Sequence, residues 1–271
     1  MAEFLEVLSF PFMRRALIVG VIVSLCAALL GVVLVLKRYS LIGHGLGEVG
    51  FAALALAMAL GLPPMPVAIP LVVAASFLIM YLSQRGALAG GAAIGIMAPA
   101  ALAFGVVGAS LSHGFNMDVS DYMFGSILAV SESDVVLSVV LGLAVILMYG
   151  LFFNRLFAIS YDEVNAQATG INVSMYQFMI SLLTAITVVL GMRMMGTMLI
   201  SSLILFPALT ARRLVGSFKA MTLAAAVISV ACFLIGLVLS YALDLPTGAS
   251  VVGVNLVALV GRVGLKRVLK G

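Results

Sequence analysis

Long uninterrupted runs of apolar residues dominate the chain, and short polar, charged or Pro/Gly-rich breaks separate them. A helix needs about 20 apolar residues to cross a hydrocarbon core roughly 30 Å thick. Nine runs approach that length, of which the sixth and the ninth are short. They are Ala16–Leu36, Leu41–Leu60, Pro66–Leu82, Ala92–Leu111, Val135–Phe153, Tyr176–Leu190, Met194–Ala211, Ala220–Leu243 and Ala249–Val260.

The continuity of these runs indicates an all-α integral membrane protein with about eight or nine transmembrane helices. A transmembrane barrel would show segments of about ten residues with alternating polarity instead. Because the connections between most runs are short, we expect one transmembrane domain over residues 1–271.

Composition supports a membrane protein and excludes other classes. Hydrophobic residues make up 64% of the chain and charged residues only 9%, whereas a soluble domain carries about 25% charged residues. The basic residues stand at the ends of the apolar runs, so the net charge of +4 reflects membrane topology and predicts lipid, not nucleic acid, as the partner. No Gly-x-x-x-x-Gly-Lys-Ser/Thr loop for a nucleotide phosphate occurs, so any ATP must be handled by another chain.

The distribution of Lys and Arg predicts which side each end occupies, because these residues concentrate in cytoplasmic loops. With the N-terminus outside, only Arg14, Arg15 and Arg193 are external. The eleven cytoplasmic ones are Lys37, Arg38, Arg85, Arg155, Arg212, Arg213, Lys219, Arg262, Lys266, Arg267 and Lys270. We therefore expect an external N-terminus and a cytoplasmic C-terminus.

His44 and Glu48 are the ionisable residues placed well inside an apolar run. A charge at mid-bilayer costs at least about 2.5–3.5 kcal/mol on insertion scales, so it needs a partner or a watery cavity. A spacing of four puts the imidazole and the carboxylate on one helix face, where both could bind zinc, manganese or ferrous iron. A His–Glu pair that serves only packing is the alternative. His113 in the external loop is a weaker candidate, and a solvated histidine fits it better.

The cytoplasmic segment from Asp162 to Val173 has the signals of a short helix. Asp162 is a typical N-cap residue, and Gly170 is suited to the left-handed conformation that ends helices. The helix could dock into a groove of a soluble partner, or it could be a simple surface connector.

Several ordered motifs together resemble the membrane permeases of bacterial zinc, manganese and iron ABC importers, the ZnuB-like family. The motifs are Pro11–Leu17, Leu41–Gly50, Tyr122–Leu128, Asp162–Val173, Gly196–Arg212 with Phe206, Pro207 and Ala208, and Leu245–Ala249.

This resemblance implies a multi-pass homodimer in the bacterial cytoplasmic membrane, served by two cytoplasmic ATPase subunits and an external metal-binding protein. Asp162, Ala166 and Gly170 match the helix that couples the permease to the ATPase, and Gly196 and Pro207 match structural positions of the translocation path. His44 and Glu48 resemble the metal site, although the family usually has Asp and then His there. The implied activity is ATP-driven import without a bound cofactor, with zinc favoured as cargo, manganese next and iron third.

Three other functions fit a polytopic membrane protein. A permease for chelated iron or a cobalamin-like substrate would not need the His44–Glu48 pair. A secondary transporter driven by an ion gradient would be expected to show inverted repeats, and no convincing repeat is evident. An intramembrane enzyme lacks support, since neither an HExxH motif nor a Ser–His constellation is found in the apolar runs.

Overall fold

The computed structural model describes residues 11–84, 90–111 and 132–268. These ranges contain helices and connecting turns and no strand, which confirms the all-α prediction. The ten helices are α1 Pro11–Leu36, α2 Ile42–Ala59, α3 Pro64–Gln84, α4 Gly90–Leu111, α5 Glu132–Leu151, α6 Phe153–Tyr161, α7 Glu163–Ala168, α8 Val173–Leu214, α9 Phe218–Leu243 and α10 Thr247–Val268.

Most of the predicted spans correspond to helices long and apolar enough to cross a membrane. Within the described residues, seven segments meet that condition, and an eighth does if α5 and α6 count as one span. The apolar part of α10, Thr247–Gly261, is shorter. This agrees with the weak signal of the ninth run.

Helix α8 contains both the sixth and the seventh predicted spans. Its backbone leaves the helical conformation at Gly196, where φ is +80° and ψ is 162°. A Cβ on Gly191 would overlap the side chain of Ile200, although nine helical residues would separate them by about 13 Å in a straight helix. The chain therefore reverses direction near Gly196, and α8 is a helical hairpin.

Contacts with α1 place both ends of this hairpin at the same side of the bundle. Ala208 and Ala211, near the end of α8, pack in one apolar cluster with Val32 and Val35 of α1. Near the start of α8, Gln177 shares a bond network with Lys37, the residue after α1. Helix α1 thus lies along the hairpin, as the burial of most of its residues indicates.

Two ion pairs mark the opposite faces of the bundle. Arg15 pairs with Glu132 at one end of α1, and Lys37 pairs with Glu163 at the other. Lys37 follows Arg15 by 22 positions, which correspond to about 33 Å of helix, close to the thickness of a hydrocarbon core. Arg15 and Glu132 thus lie on one side of the bundle and Lys37 and Glu163 on the other, in agreement with the predicted topology.

Two helices, α6 and α7, lie between α5 and α8, whereas the sequence predicts only the short helix that starts after Asp162. Helix α6 follows α5 at an angle of 69°, and it buries Leu156 and Ile159 against the bundle while most of its other residues stay exposed. It therefore lies across the end of the bundle and carries the chain to α7.

Candidate functional site

Glycines allow the start of α2 to lie in the middle of the bundle. A Cβ on Gly43 would come 2.8 Å from Cδ1 of Ile204, and one on Gly45 would come 2.8 Å from Cγ2 of Ile94. A Cβ on Gly47 would approach Cβ of Thr197 to 3.2 Å. Helix α8 therefore packs against one face of α2 and α4 against another, as small residues permit in membrane helices.

His44 and Glu48 lie on α2 between these two packed faces. Nδ1 of His44 is 3.9 Å from Oε1 of Glu48, so the two side chains meet one helical turn apart, as predicted. Their surroundings differ, since the His44 side chain is 51% exposed and the Glu48 side chain only 8%. The carboxylate is thus held inside the protein, while the imidazole lies at its surface.

The reversal of α8 lies beside this pair. Thr197 follows Gly196 in the chain and packs against Gly47, the residue before Glu48. On the other arm of the hairpin, Met192 packs so closely on Gly50 that a Cβ there would overlap its sulfur. The hydroxyl of Thr197 is buried and has no hydrogen-bond partner within the described part of the chain.

Gly196 and Pro207 occupy two different places on α8. Gly196 has the positive φ of the reversal, which glycine adopts without steric cost. Pro207 lies buried inside the second arm, where its missing N–H leaves the carbonyl of Leu203 without an intrahelical donor. Gly196 is therefore close to the His44–Glu48 pair, and Pro207 lies further along the same arm.

Helix α7 begins and ends as its sequence predicts. Oδ1 of Asp162 accepts a hydrogen bond of 3.0 Å from the backbone N–H of Asn165. At the other end, Gly170 has a φ of +82°, and the N–H of Ile171 donates to the carbonyl of Ala166, which is the bond of a Schellman motif. Val164 and most of the helix are exposed, whereas Ala166 is buried. The helix therefore presents an open face at the end of the bundle.

Residues 112–131 lie outside the described part of the chain. This region includes His113 and the motif Tyr122–Leu128, so their predicted roles stay predictions. Within the described residues, no group of three or more His, Cys, Asp or Glu side chains comes together to hold a metal ion. The His44–Glu48 pair brings together two side chains of ligand type.

The network around Glu163 is the feature that sequence reasoning missed. Glu163 joins α7 to Lys37 and Gln177, which are distant in sequence. A lysine directly after an apolar run is an ordinary topological signal, and nothing local distinguishes Lys37 from Arg38. Only the folded arrangement reveals its partner.

Comparison with known proteins gives consistent results over nearly the whole chain. The model of the ABC 3 transport family matches residues 9–265. The manganese import system permease protein ScaB of Streptococcus gordonii is 30% identical over 92% of this chain and 90% of that protein. The high-affinity zinc uptake system membrane protein ZnuB of Haemophilus influenzae is 30% identical over 90% of this chain and 93% of its own length.

The fold agrees with a solved structure as well. PsaBC from Streptococcus pneumoniae in complex with Fab contains a chain that superimposes with a TM-score of 0.85 at 29% identity. The alignment covers 96% of this chain and 94% of that one.

Proposed function

Because the chain belongs to the ABC 3 transport family, we propose that its His44–Glu48 pair binds a divalent transition-metal ion during import, with zinc as the first candidate and manganese as the second. The chain is a multi-pass permease of an ABC metal importer in the bacterial cytoplasmic membrane. It transports its substrate and does not hydrolyse ATP itself, since the ATPase of such a system is a separate chain.

The main support for this proposal is that the imidazole of His44 and the buried carboxylate of Glu48 meet one turn apart on α2. Intramembrane ionisable residues mark ion pathways because burying them without such a role is costly. The break of α8 beside them strengthens the proposal. Irregular backbone at membrane depth is tolerated where it lines a cavity or is enclosed by protein, and broken helices are a recurrent way to build ion sites.

The ligand types favour zinc without excluding manganese. An imidazole nitrogen and a carboxylate oxygen are both common ligands of zinc, whereas manganese prefers oxygen. Similar permeases include one named for manganese import and one named for zinc uptake. Where the family usually has Asp and then His, this chain has His44 and then Glu48. The order is reversed, but the two ligand types are the same.

A homodimer supplies the remaining ligands. Zinc binds about four ligands, and the pair contributes two. A second copy related by a twofold axis next to α2 would present the same pair, and the two pairs together would complete the site. The half-exposed imidazole of His44 is the group that would face this axis.

Two further partners act at opposite ends of the path. Helix α7, with Asp162, Ala166 and Gly170, docks into the cytoplasmic ATPase. Binding and hydrolysis of ATP by that subunit open the pore alternately to the two sides of the membrane. An external metal-binding protein delivers the ion at the other face. This chain needs no bound cofactor for either step.

Metal uptake by cells that express the complete system tests the proposal. We expect Glu48→Gln to reduce zinc or manganese accumulation by about tenfold or more, because the site loses its anionic ligand. Asp244→Asn is the matched control, since Asp244 is exposed at the end of α9 and asparagine tolerates its left-handed conformation. Elemental analysis gives the ratio of zinc, manganese and iron.

The result also separates the alternatives. Unchanged accumulation in Glu48→Gln, with the complex assembled, contradicts the proposed site. Transport of a chelated metal that survives His44→Ala would indicate a permease for complexed iron. Transport by the purified chain without an ATPase, in response to an ion gradient, would indicate a secondary transporter.

A further inference from the structure

Three polar side chains join the proposed ATPase-docking helix to two spanning helices. Glu163 is the first residue of α7. Its Oε2 lies 3.3 Å from Nζ of Lys37, directly after the end of α1. Its Oε1 accepts a hydrogen bond of 2.6 Å from Nε2 of Gln177, near the start of α8. One carboxylate therefore bridges α1 and α8.

The two anchors are buried, and the carboxylate that joins them is not. The side chain of Lys37 is 5% exposed, and Gln177 is 3% exposed, whereas the side chain of Glu163 is 48% exposed. Burial lowers the pKa of Lys37, and the Glu163 carboxylate opposes that shift. A buried cation needs such a partner, since an unpaired charge inside a protein is costly. Lys37 thus restrains the position of Glu163.

The bridge lies next to an open groove at the end of the bundle. The groove has a volume of about 770 Å³, and Glu163 and Gln177 line it together with Tyr39, Gln167 and residues 170–174. A partner that seats on α7 would therefore act directly beside the bridge.

Helices α1 and α8 both connect the bridge with the proposed metal site. Helix α8 begins at the bridge, reverses at Gly196, and packs through Thr197 against Gly47, next to Glu48. Helix α1 packs along α8, and Gly31 meets the backbone of Ile204 so closely that a Cβ there would overlap its carbonyl oxygen. Close packing contacts thus connect the bridge to the elements around His44 and Glu48.

We infer that Glu163 is a positioning residue which transmits movement of the docked α7 to α1 and α8 through Lys37 and Gln177. This inference rests on the proposed docking of α7 to an ATPase. Without the bridge, α7 is held by its own caps and by buried Ala166, so it can move while α1 and α8 stay in place. The consequence is ATP hydrolysis that no longer drives metal transport.

The test compares metal transported with ATP hydrolysed in vesicles that contain the permease and its ATPase. Glu163→Gln keeps the shape of the side chain and an acceptor for Gln177 but removes the charge that pairs with Lys37. Lys37→Met removes the cation and keeps the apolar stem. For each variant we expect the rate of ATP hydrolysis to change less than about twofold. The amount of metal transported per ATP should fall at least about fivefold, a factor that corresponds to a modest coupling free energy.

Reversing the pair provides a readout that a purely structural role would not give. Lys37→Glu combined with Glu163→Lys restores the opposite charges, and the amide of Gln177 accepts as readily as it donates. We expect the double variant to recover metal per ATP to within about twofold of the wild-type protein. Lys219→Met is the control, because Lys219 is an exposed lysine at the start of α9 and should leave coupling unchanged.

Three outcomes overturn the inference. They are normal coupling in both single variants, loss of ATPase binding as the sole defect, and failure of the reversed pair to recover coupling while it assembles normally. The wild-type complex and Glu48→Gln are measured in the same vesicles. If the wild-type complex carries neither zinc nor manganese, the proposed function fails. If it transports metal and the Glu163 variants remain coupled, only the transmission role fails.

Discussion

At the scale of single residues, the unequal burial of His44 and Glu48 leaves one open side to the pair within a single chain. The Glu48 carboxylate is enclosed and the His44 imidazole is half exposed. In the proposed dimer this open side faces the same pair of the second copy, and the completed site must still bind the ion weakly enough to let it leave.

The order of the two proposed ligands can be tested by exchanging them. We expect His44→Asp combined with Glu48→His to retain measurable metal uptake, because the face of α2 still presents one imidazole and one carboxylate. His44→Asp alone leaves two carboxylates on this face, and Glu48→His alone leaves two imidazoles. Uptake should fall by about tenfold or more in each single variant. Uptake in whole cells, measured by elemental analysis with permease abundance as reference, checks this. A double variant as inactive as the single variants would show that position matters more than ligand type.

At the scale of helices, close backbone contacts hold the bundle together. Lipid tails are as apolar as leucine, so helices in a membrane associate through tight packing of small residues and through internal hydrogen bonds. The contact between Gly31 of α1 and the backbone of Ile204 in α8 is of this kind. Ser229 of α9 adds a hydrogen bond of 2.9 Å to the carbonyl of Ser24 in α1.

A methyl group at Gly31 should destabilise the protein. Its Cβ would overlap the carbonyl oxygen of Ile204, and backbone cannot rotate away as a flexible side chain can. We expect Gly31→Ala to cost about 1–3 kcal/mol through overpacking. Gly95→Ala in α4 is the control, because nothing lies within 4 Å of a Cβ there, and it should be neutral or stabilising by about 0.5–1 kcal/mol. Thermal unfolding of the purified protein in detergent measures both, and equal midpoints would contradict the packing argument.

Helices were predictable where the membrane dictates the sequence. A spanning helix must satisfy its backbone hydrogen bonds internally and present apolar side chains to lipid, so runs such as Ala220–Leu243 identify α9 almost to the residue. The 69° bend between α5 and α6 and the reversal at Gly196 depend on tertiary packing, which no local pattern records. The caps of α7 were predictable because Asp162 and Gly170 act on their immediate neighbours.

At the scale of the whole molecule, the two ion pairs and the hairpin identify two opposite faces of the bundle. Lys37, Glu163 and both ends of α8 lie at one face, while Arg15 and Glu132 lie at the other. The candidate metal site lies between these faces, beside the reversal of α8. The sequence singles out His44 and Glu48 on α2 as candidate ligands but not their neighbours, because the approach of Thr197 to Gly47 joins segments 150 residues apart.

The proposed dimer places the exposed side of α2 next to the same side of a second copy. Leu41 is 53% exposed and precedes His44 by three residues, which puts it on the same helix face without being a proposed ligand. Leu223 of α9 is 68% exposed and serves as the control for a surface that faces lipid. The native cysteines, Cys26 and Cys232, are both buried, so they should react slowly with added reagents.

We expect a short bifunctional thiol reagent to join two Leu41→Cys chains into a covalent dimer in native membranes, and to leave Leu223→Cys chains as monomers. Metal uptake by Leu41→Cys before treatment should be near the wild-type value, and cross-linking should reduce it, because a joined pair can no longer separate at the axis. Denaturing electrophoresis gives the cross-linked fraction. Equal cross-linking at the two positions would indicate random collisions, and its absence at Leu41 in an actively transporting protein would place the twofold axis elsewhere, leaving His44 and Glu48 to complete their metal site within one chain.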